Sequence, residues 1–289
     1  MLYDLLIAPF AEFDFMRRAL IGACTLAIGG APIGVFLMLR RMSLMGDAMS
    51  HAILPGAAIG FLVSGLNIFA MTAGGLLAGF AVAVLAGLVA RTTILKEDAS
   101  LAVFFLLSLA LGVVLVSMRG SNIDLLHFLF GSVLALDDKT LILIATNTTI
   151  TLFALAAVLR PLIVECVDPG YLRAVSHAGA LSHFVFLALV VLNLVSGFHA
   201  LGTLLAVGIM MIPAAIARFW VQDVSAMIAV AISSGLFASF AGLLLSYHGG
   251  LPAGPAVILV AGALYALSVL FGRESGLVRR MIPRKHLEA

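Results

Sequence analysis

An aspartate and a histidine stand four residues apart in Gly46-Asp47-Ala48-Met49-Ser50-His51-Ala52-Ile53-Leu54-Pro55-Gly56, just ahead of the apolar run from Ala57 to Val63. On a helix that spacing brings the two side chains to within about 40° of each other, one turn apart, so a carboxylate oxygen and an imidazole nitrogen can converge on one ion. Such a donor pair suits borderline and fairly hard divalent cations, zinc and manganese among them, and the absence of paired thiolates argues against copper(I). The same two residues could equally form an Asp–His hydrogen bond that fastens two helices. A charge in an otherwise lipid-embedded helix is costly and asks for a functional reason. Pro55, one turn beyond His51, removes a backbone hydrogen bond, which kinks the helix and frees carbonyls where a ligand can approach. Asp47 is the one acidic residue that this reading places inside a membrane span.

The elements that must position this pair follow from composition. Of 289 residues, 63% are hydrophobic and 10% charged, whereas a soluble domain carries about a quarter charged residues. The chain therefore reads as an all-α polytopic membrane protein, a bundle of eight to nine transmembrane helices in one domain spanning residues 1–289. Segmenting on charges, with about 20 apolar residues needed per span, gives 17–39, 46–64, 67–90, 99–117, 140–159, 181–197, 200–218, 224–246 and 254–271. Residues 1–16 carry Asp4, Glu12 and Asp14 and read as a surface cap rather than a positive leader. Residues 121–136 are too short and polar to span and read as a half-helix. Cys24 in the first span and Cys166 in a loop lie at different depths, so no disulfide framework is expected.

With the first span running inward, every Lys and Arg except Arg17, Arg18, Arg119 and Lys139 falls on the cytoplasmic side. The positive-inside rule then puts the N-terminus outside and the C-terminus, with its tail 273–289, in the cytoplasm, provided the number of spans is odd. The largest cytoplasmic loop, 160–180, contains a short amphipathic helix in this reading. Asp168 caps it, Pro169 takes its first position, Leu172 and Val175 share a face with Arg173 between them, and Gly179 closes it. Met210 and Met211 precede a second intramembrane proline, Pro213, and either pack against a kink or line a path. His199 and His248 fall near the outer ends of spans, where each is either structural or a way-station for metal. Glycine and serine at four-residue spacing, as in Gly56/Gly60, Gly75/Gly79 and Gly235/Ser239, favour close helix packing. No Gly-x-x-x-x-Gly-Lys-[Ser/Thr], Gly-x-Ser-x-Gly or His-Glu-x-x-His occurs, so ATP hydrolysis is expected from a separate chain and a hydrolase site would need scattered residues.

The motif Gly46 to Gly56, preceded by Arg40-Arg41-Met42-Ser43, resembles the signature of the metal-type permeases of bacterial ABC importers. The resemblance extends along nearly the whole chain through Phe130-Gly131-Ser132-Val133-Leu134-Ala135, Ile212-Pro213-Ala214-Ala215 and Leu251-Pro252-Ala253-Gly254-Pro255. It implies a multi-pass subunit of the bacterial inner membrane, not itself an enzyme and without a resident cofactor. Such a subunit moves zinc, manganese or iron, with Asp47 and His51 as metal ligands and Pro55, Met210, Met211 and His199 as pathway candidates. It further implies a homodimer, an extracytoplasmic metal-binding protein, and a cytoplasmic ABC ATPase engaged through Asp168, Pro169, Leu172, Arg173, Val175 and Gly179; nucleic acid has no part. Two other readings of Asp47 stay open on the residues alone: a proton-coupled secondary carrier in which it titrates, and an intramembrane metal-dependent hydrolase.

Overall fold

The computed structural model describes residues 2–42, 45–65, 67–94, 97–117, 136–168, 171 and 178–281. The half-helix expected at 121–136 lies almost wholly outside them. Two short helices, α1 (Leu2–Leu6) and α2 (Ala8–Glu12), form the N-terminal cap. The long helices follow as α3 (Asp14–Leu39), the broken pair α4 (Met45–Ala52) and α5 (Leu54–Ser64), α6 (Ile68–Thr92), α7 (Glu97–Ser117), α8 (Asp138–Val167), α9 (Ala178–Leu201), α10 (Thr203–Trp220), α11 (Val224–Gly249) and α12 (Ala253–Phe271). A last short helix, α13 (Leu277–Met281), ends the described chain. Counting α4 and α5 together, eight of these are long and apolar enough to cross a membrane, and α7 contributes a shorter apolar stretch, Ala99–Leu115.

Contacts between helix ends sort the chain into two levels. Arg18 at the start of α3 pairs with Asp138 at the start of α8 at 3.1 Å, and His248 at the end of α11 lies 3.0 Å from the Leu5 carbonyl. At the opposite level, Arg40 after α3 pairs with Glu165 near the end of α8, and the Glu274 N–H donates to the Phe219 carbonyl at 2.8 Å. Arg18 meets Asp138 when an even number of crossings separates them, a number that α3, α4/α5, α6 and α7 together supply. Nine crossings among the described residues, α7 included, are consistent with all four contacts.

Two boundaries differ from the sequence reading. The fifth span does not end at 159; α8 runs on to Val167, so Glu165 and Cys166 are helical rather than in a loop. Pro161 forfeits one intrahelical hydrogen bond, and the turn beyond it is held by buried Leu162 and by the Glu165 pairing with Arg40. At the other side of the loop, Gly179 is the second residue of α9 rather than the end of a separate helix, which leaves 168–177 between α8 and α9. Glu165 accordingly lies within the last turn of a membrane-length helix, where the sequence reading placed only Asp47 inside a span.

Small residues let the helices touch by backbone. A Cβ on Gly56 would stand 2.0 Å from the Gly74 carbonyl oxygen of α6, and one on Gly34 would stand 1.8 Å from the Met210 oxygen of α10. In a membrane, where lipid tails are as apolar as leucine, such contact and its dispersion energy are what hold helices together. The start of α8 is set by an N-cap: Asp137 accepts the Thr140 hydroxyl and, at 2.9 Å, its N–H, and these bonds hold the Asp137 carboxyl below its ordinary range.

Candidate metal site

The metal motif is carried by α4, eight residues long and amphipathic in a particular way. Met45, Met49, Ala52 and Ile53 are buried in the main core with Phe36, Leu37, Phe186, Leu187, Val190 and Leu194. Residues two apart on a helix point about 200° from each other, so anchoring Met45 and Met49 in the core turns Asp47 and His51 away from it. The Asp47 side chain is 69% exposed and that of His51 26%. Their Oδ1 and Nε2 atoms lie 3.9 Å apart, too far for a hydrogen bond and close enough for both to reach one cation. No Lys or Arg among the described residues pairs with Asp47. His51 Nδ1 is buried without a hydrogen-bond partner among them, so no second group fixes the imidazole tautomer.

One face of α7 holds the motif in place. The Phe105 ring lies 5.5 Å from the His51 ring, the Ser108 hydroxyl donates to the Ala52 carbonyl at 2.9 Å, and Gly112 lets α7 approach Pro55, whose nitrogen would be 3.3 Å from an added Cβ. The helix breaks at Ile53, two residues before Pro55, which sits in the first turn of α5. Pro55 has no N–H to offer the His51 carbonyl, and Ser108 serves the next carbonyl in its place. The motif's break is thus supported from α7, a helix in which no motif announced a role.

The other candidates divide. Met210 and Met211 come close to the motif: an added Cβ on Gly46 would lie 3.0 Å from the Met210 terminal methyl and 3.7 Å from Met211 Cγ. His199 belongs to the last turn of α9, its side chain outside the described residues. His248 faces the Leu5 carbonyl and stacks edge-on with Tyr247 in the N-terminal cap region. Asp168 accepts the Tyr171 N–H at 2.9 Å, as a capping residue does, while Pro169, Leu172, Arg173 and Val175 lie outside the described residues. No cluster of three or more His, Cys, Asp or Glu occurs among the described residues, so Asp47 and His51 stand as an incomplete shell. Cys24 and Cys166 are both free, as expected.

A second constellation escaped the sequence reading. Arg40, Glu165 and His183 meet where the end of α3, the end of α8 and the start of α9 come together, and deeper between α8 and α9 Asn147 donates to Ser196 and Asn193 to Thr151. The signal available was a glutamate and a histidine within two turns of span ends, together with Asn147 and Asn193 in apolar runs. Periodicity alone could not pair them.

Comparison with known proteins gives three findings. The family described as the ABC 3 transport family matches residues 12–272. The manganese transport system membrane protein MntC of Listeria monocytogenes is 33% identical over 274 residues, 95% of this chain and 96% of that protein, and the manganese import system permease protein ScaB of Streptococcus parasanguinis is 32% identical over 257 residues, 89% of this chain and 90% of that protein. Among solved structures, PsaBC from Streptococcus pneumoniae in complex with Fab superposes with a TM-score of 0.84 at 28% identity, covering 97% of this chain and 99% of that one.

Proposed function

This chain belongs to the ABC 3 transport family, and from that premise we propose that it is the membrane permease of an ATP-driven manganese importer whose ligands are Asp47 and His51. It is a multi-pass protein of the bacterial inner membrane and a transport subunit, with ATP hydrolysis carried by a separate ABC subunit. Manganese is favoured over zinc because the relatives MntC and ScaB are named for manganese; the carboxylate–imidazole pair itself suits both cations.

The observation that carries the reading is the exposed, unpaired Asp47 carboxylate on a membrane helix, 3.9 Å from an imidazole. Such a charge does not face lipid. A second copy of the chain across a dimer axis would cover it and supply a matching Asp47 and His51, completing the shell from two incomplete halves, with water or a freed carbonyl near Pro55 as further donors. The end-to-end contacts, with the arginine-rich level taken as cytoplasmic, support an N-terminus outside, facing an extracytoplasmic metal-binding protein. Residues 168–179 on the other side engage the ATPase.

Uptake of manganese(II) by proteoliposomes holding the permease with its ATPase tests the proposal. ATP-dependent uptake that Asp47→Asn and His51→Ala each reduce to the level of protein-free vesicles is expected. Uptake driven by a proton gradient without ATP would instead identify a secondary carrier, and wild-type uptake by both variants would remove the pair from the metal path.

A further inference from the structure

The buried Arg40–Glu165–His183 group lies where the root of the metal motif meets both roots of the 168–177 stretch. Arg40 follows α3 directly, its N–H donating to the Phe36 carbonyl at 3.0 Å. Arg41, at φ 60, turns the chain, the Met42 N–H returns to the Leu37 carbonyl at 2.9 Å, and the Met45 N–H opens α4 on the Met42 carbonyl at 3.0 Å. Two residues on stands Asp47. On the other side, Glu165 lies one turn before Asp168, where α8 ends, and Ser182 and His183 lie in the second turn of α9. The Glu165 carboxylate accepts from an Arg40 Nη and, at 3.0 Å, from the Ser182 hydroxyl; the other Arg40 Nη is 3.0 Å from His183 Nδ1. The guanidinium carbon sits 4.8 Å over the Phe186 ring.

We propose that this clasp transmits motion between the ATPase-engaging stretch and the metal ligands, with Arg40, Glu165 and His183 as positioning residues. The inference rests on the permease reading above. As a staple the clasp is poorly suited: a buried ion pair gains little over apolar packing, and α3 and α9 already pack through Phe36 and Phe186, ring centroids 6.3 Å apart. Nor is it closed on itself, since Arg40 Nε is buried with no acceptor among the described residues. What a guanidinium supplies and a leucine does not is orientation. Its planar fork holds one nitrogen on α8 and another on α9, so a displacement at either root of 168–177 is carried to Arg40 and, through the hydrogen-bonded turn at Arg41, to the helix bearing Asp47 and His51. Lysine, a single point charge, cannot hold both partners in one plane.

The test is the number of manganese(II) ions imported per ATP hydrolysed by the full permease–ATPase complex in proteoliposomes. Arg40→Met combined with Glu165→Leu removes the clasp without stranding a charge, and Arg40→Lys keeps the charge without the fork. Both are expected to assemble with the ATPase and bind manganese at the wild-type midpoint while the transport ratio falls about tenfold, within the usual range of coupling energies. An unchanged ratio in either assembled variant overturns the proposal, and so does failure of both to assemble, which would make the clasp a folding element. A wild-type complex that imports no manganese with ATP would overturn the permease reading instead.

Discussion

Two sites in this molecule each pair a carboxylate with an imidazole, and they differ in what stands between them. At one end of α3, Glu165 and His183, with 18% and 10% of their side chains exposed, close around Arg40, whose own side chain is 8% exposed. In α4, Asp47 and His51 turn away from the core with no Lys or Arg paired to them among the described residues, the carboxylate 69% exposed. The same two donor types are sealed by a guanidinium in one place and left open in the other. A guanidinium neutralises the first from within the protein; the second presents its carboxylate and imidazole to whatever approaches that face of α4, as the proposed manganese site requires.

The contrast is broken most directly by transport. Asp47→Asn and His51→Ala are expected to abolish manganese uptake with normal membrane insertion, because neither adds a charge to the span. Stability should respond the other way round. Arg40→Ala leaves Glu165 buried without its partner and should cost about 3–5 kcal/mol, seen as a lower unfolding midpoint in detergent, while metal-free Asp47→Asn should unfold like wild type. Equal destabilisation by the two would mean that the open pair is as structural as the closed one. Manganese itself sharpens the comparison. At about 100 times its dissociation constant it should stabilise the wild-type chain by about 2.7 kcal/mol, do the same for the paired Arg40→Met, Glu165→Leu variant, and do nothing for His51→Ala.

Smaller effects probe how each region is held. Ser108→Ala withdraws the donor from the Ala52 carbonyl beside the break and should cost about 1 kcal/mol, with uptake reduced less than by either ligand change. An effect as large as that of His51→Ala would make α7 part of the site rather than its support. At the start of α8, Asp137→Ala removes the cap, again about 1 kcal/mol. Since the folded Asp137 carboxyl is held low by Thr140, its contribution is present at neutral pH and is lost as the pH falls through its folded value. Unfolding midpoints of wild type and Asp137→Ala should therefore converge in acid.

Some of this was legible before any coordinates. Hydropathy located every long helix, since a membrane span must be apolar and satisfy its backbone largely within itself whatever it packs against. The Asp47–His51 pair was visible because both residues lie on one turn of one helix, and local spacing fixes their relative direction. The glycine at 56 announced a close contact because only a residue without a Cβ admits a neighbouring backbone at 2.0 Å. What sequence could not supply was everything that depends on separation along the chain. Glu165 looked like a loop residue because Pro161 and Arg160 mark a helix end by local rules, and it took an arginine 125 positions away to hold the extra turns in place. Likewise the support of His51 by Phe105 and Ser108, and the meeting of Arg40 with His183, join helices whose order in the bundle no periodicity specifies. Local geometry made the open pair readable; only packing of distant helices decided that the other carboxylate and imidazole would be closed.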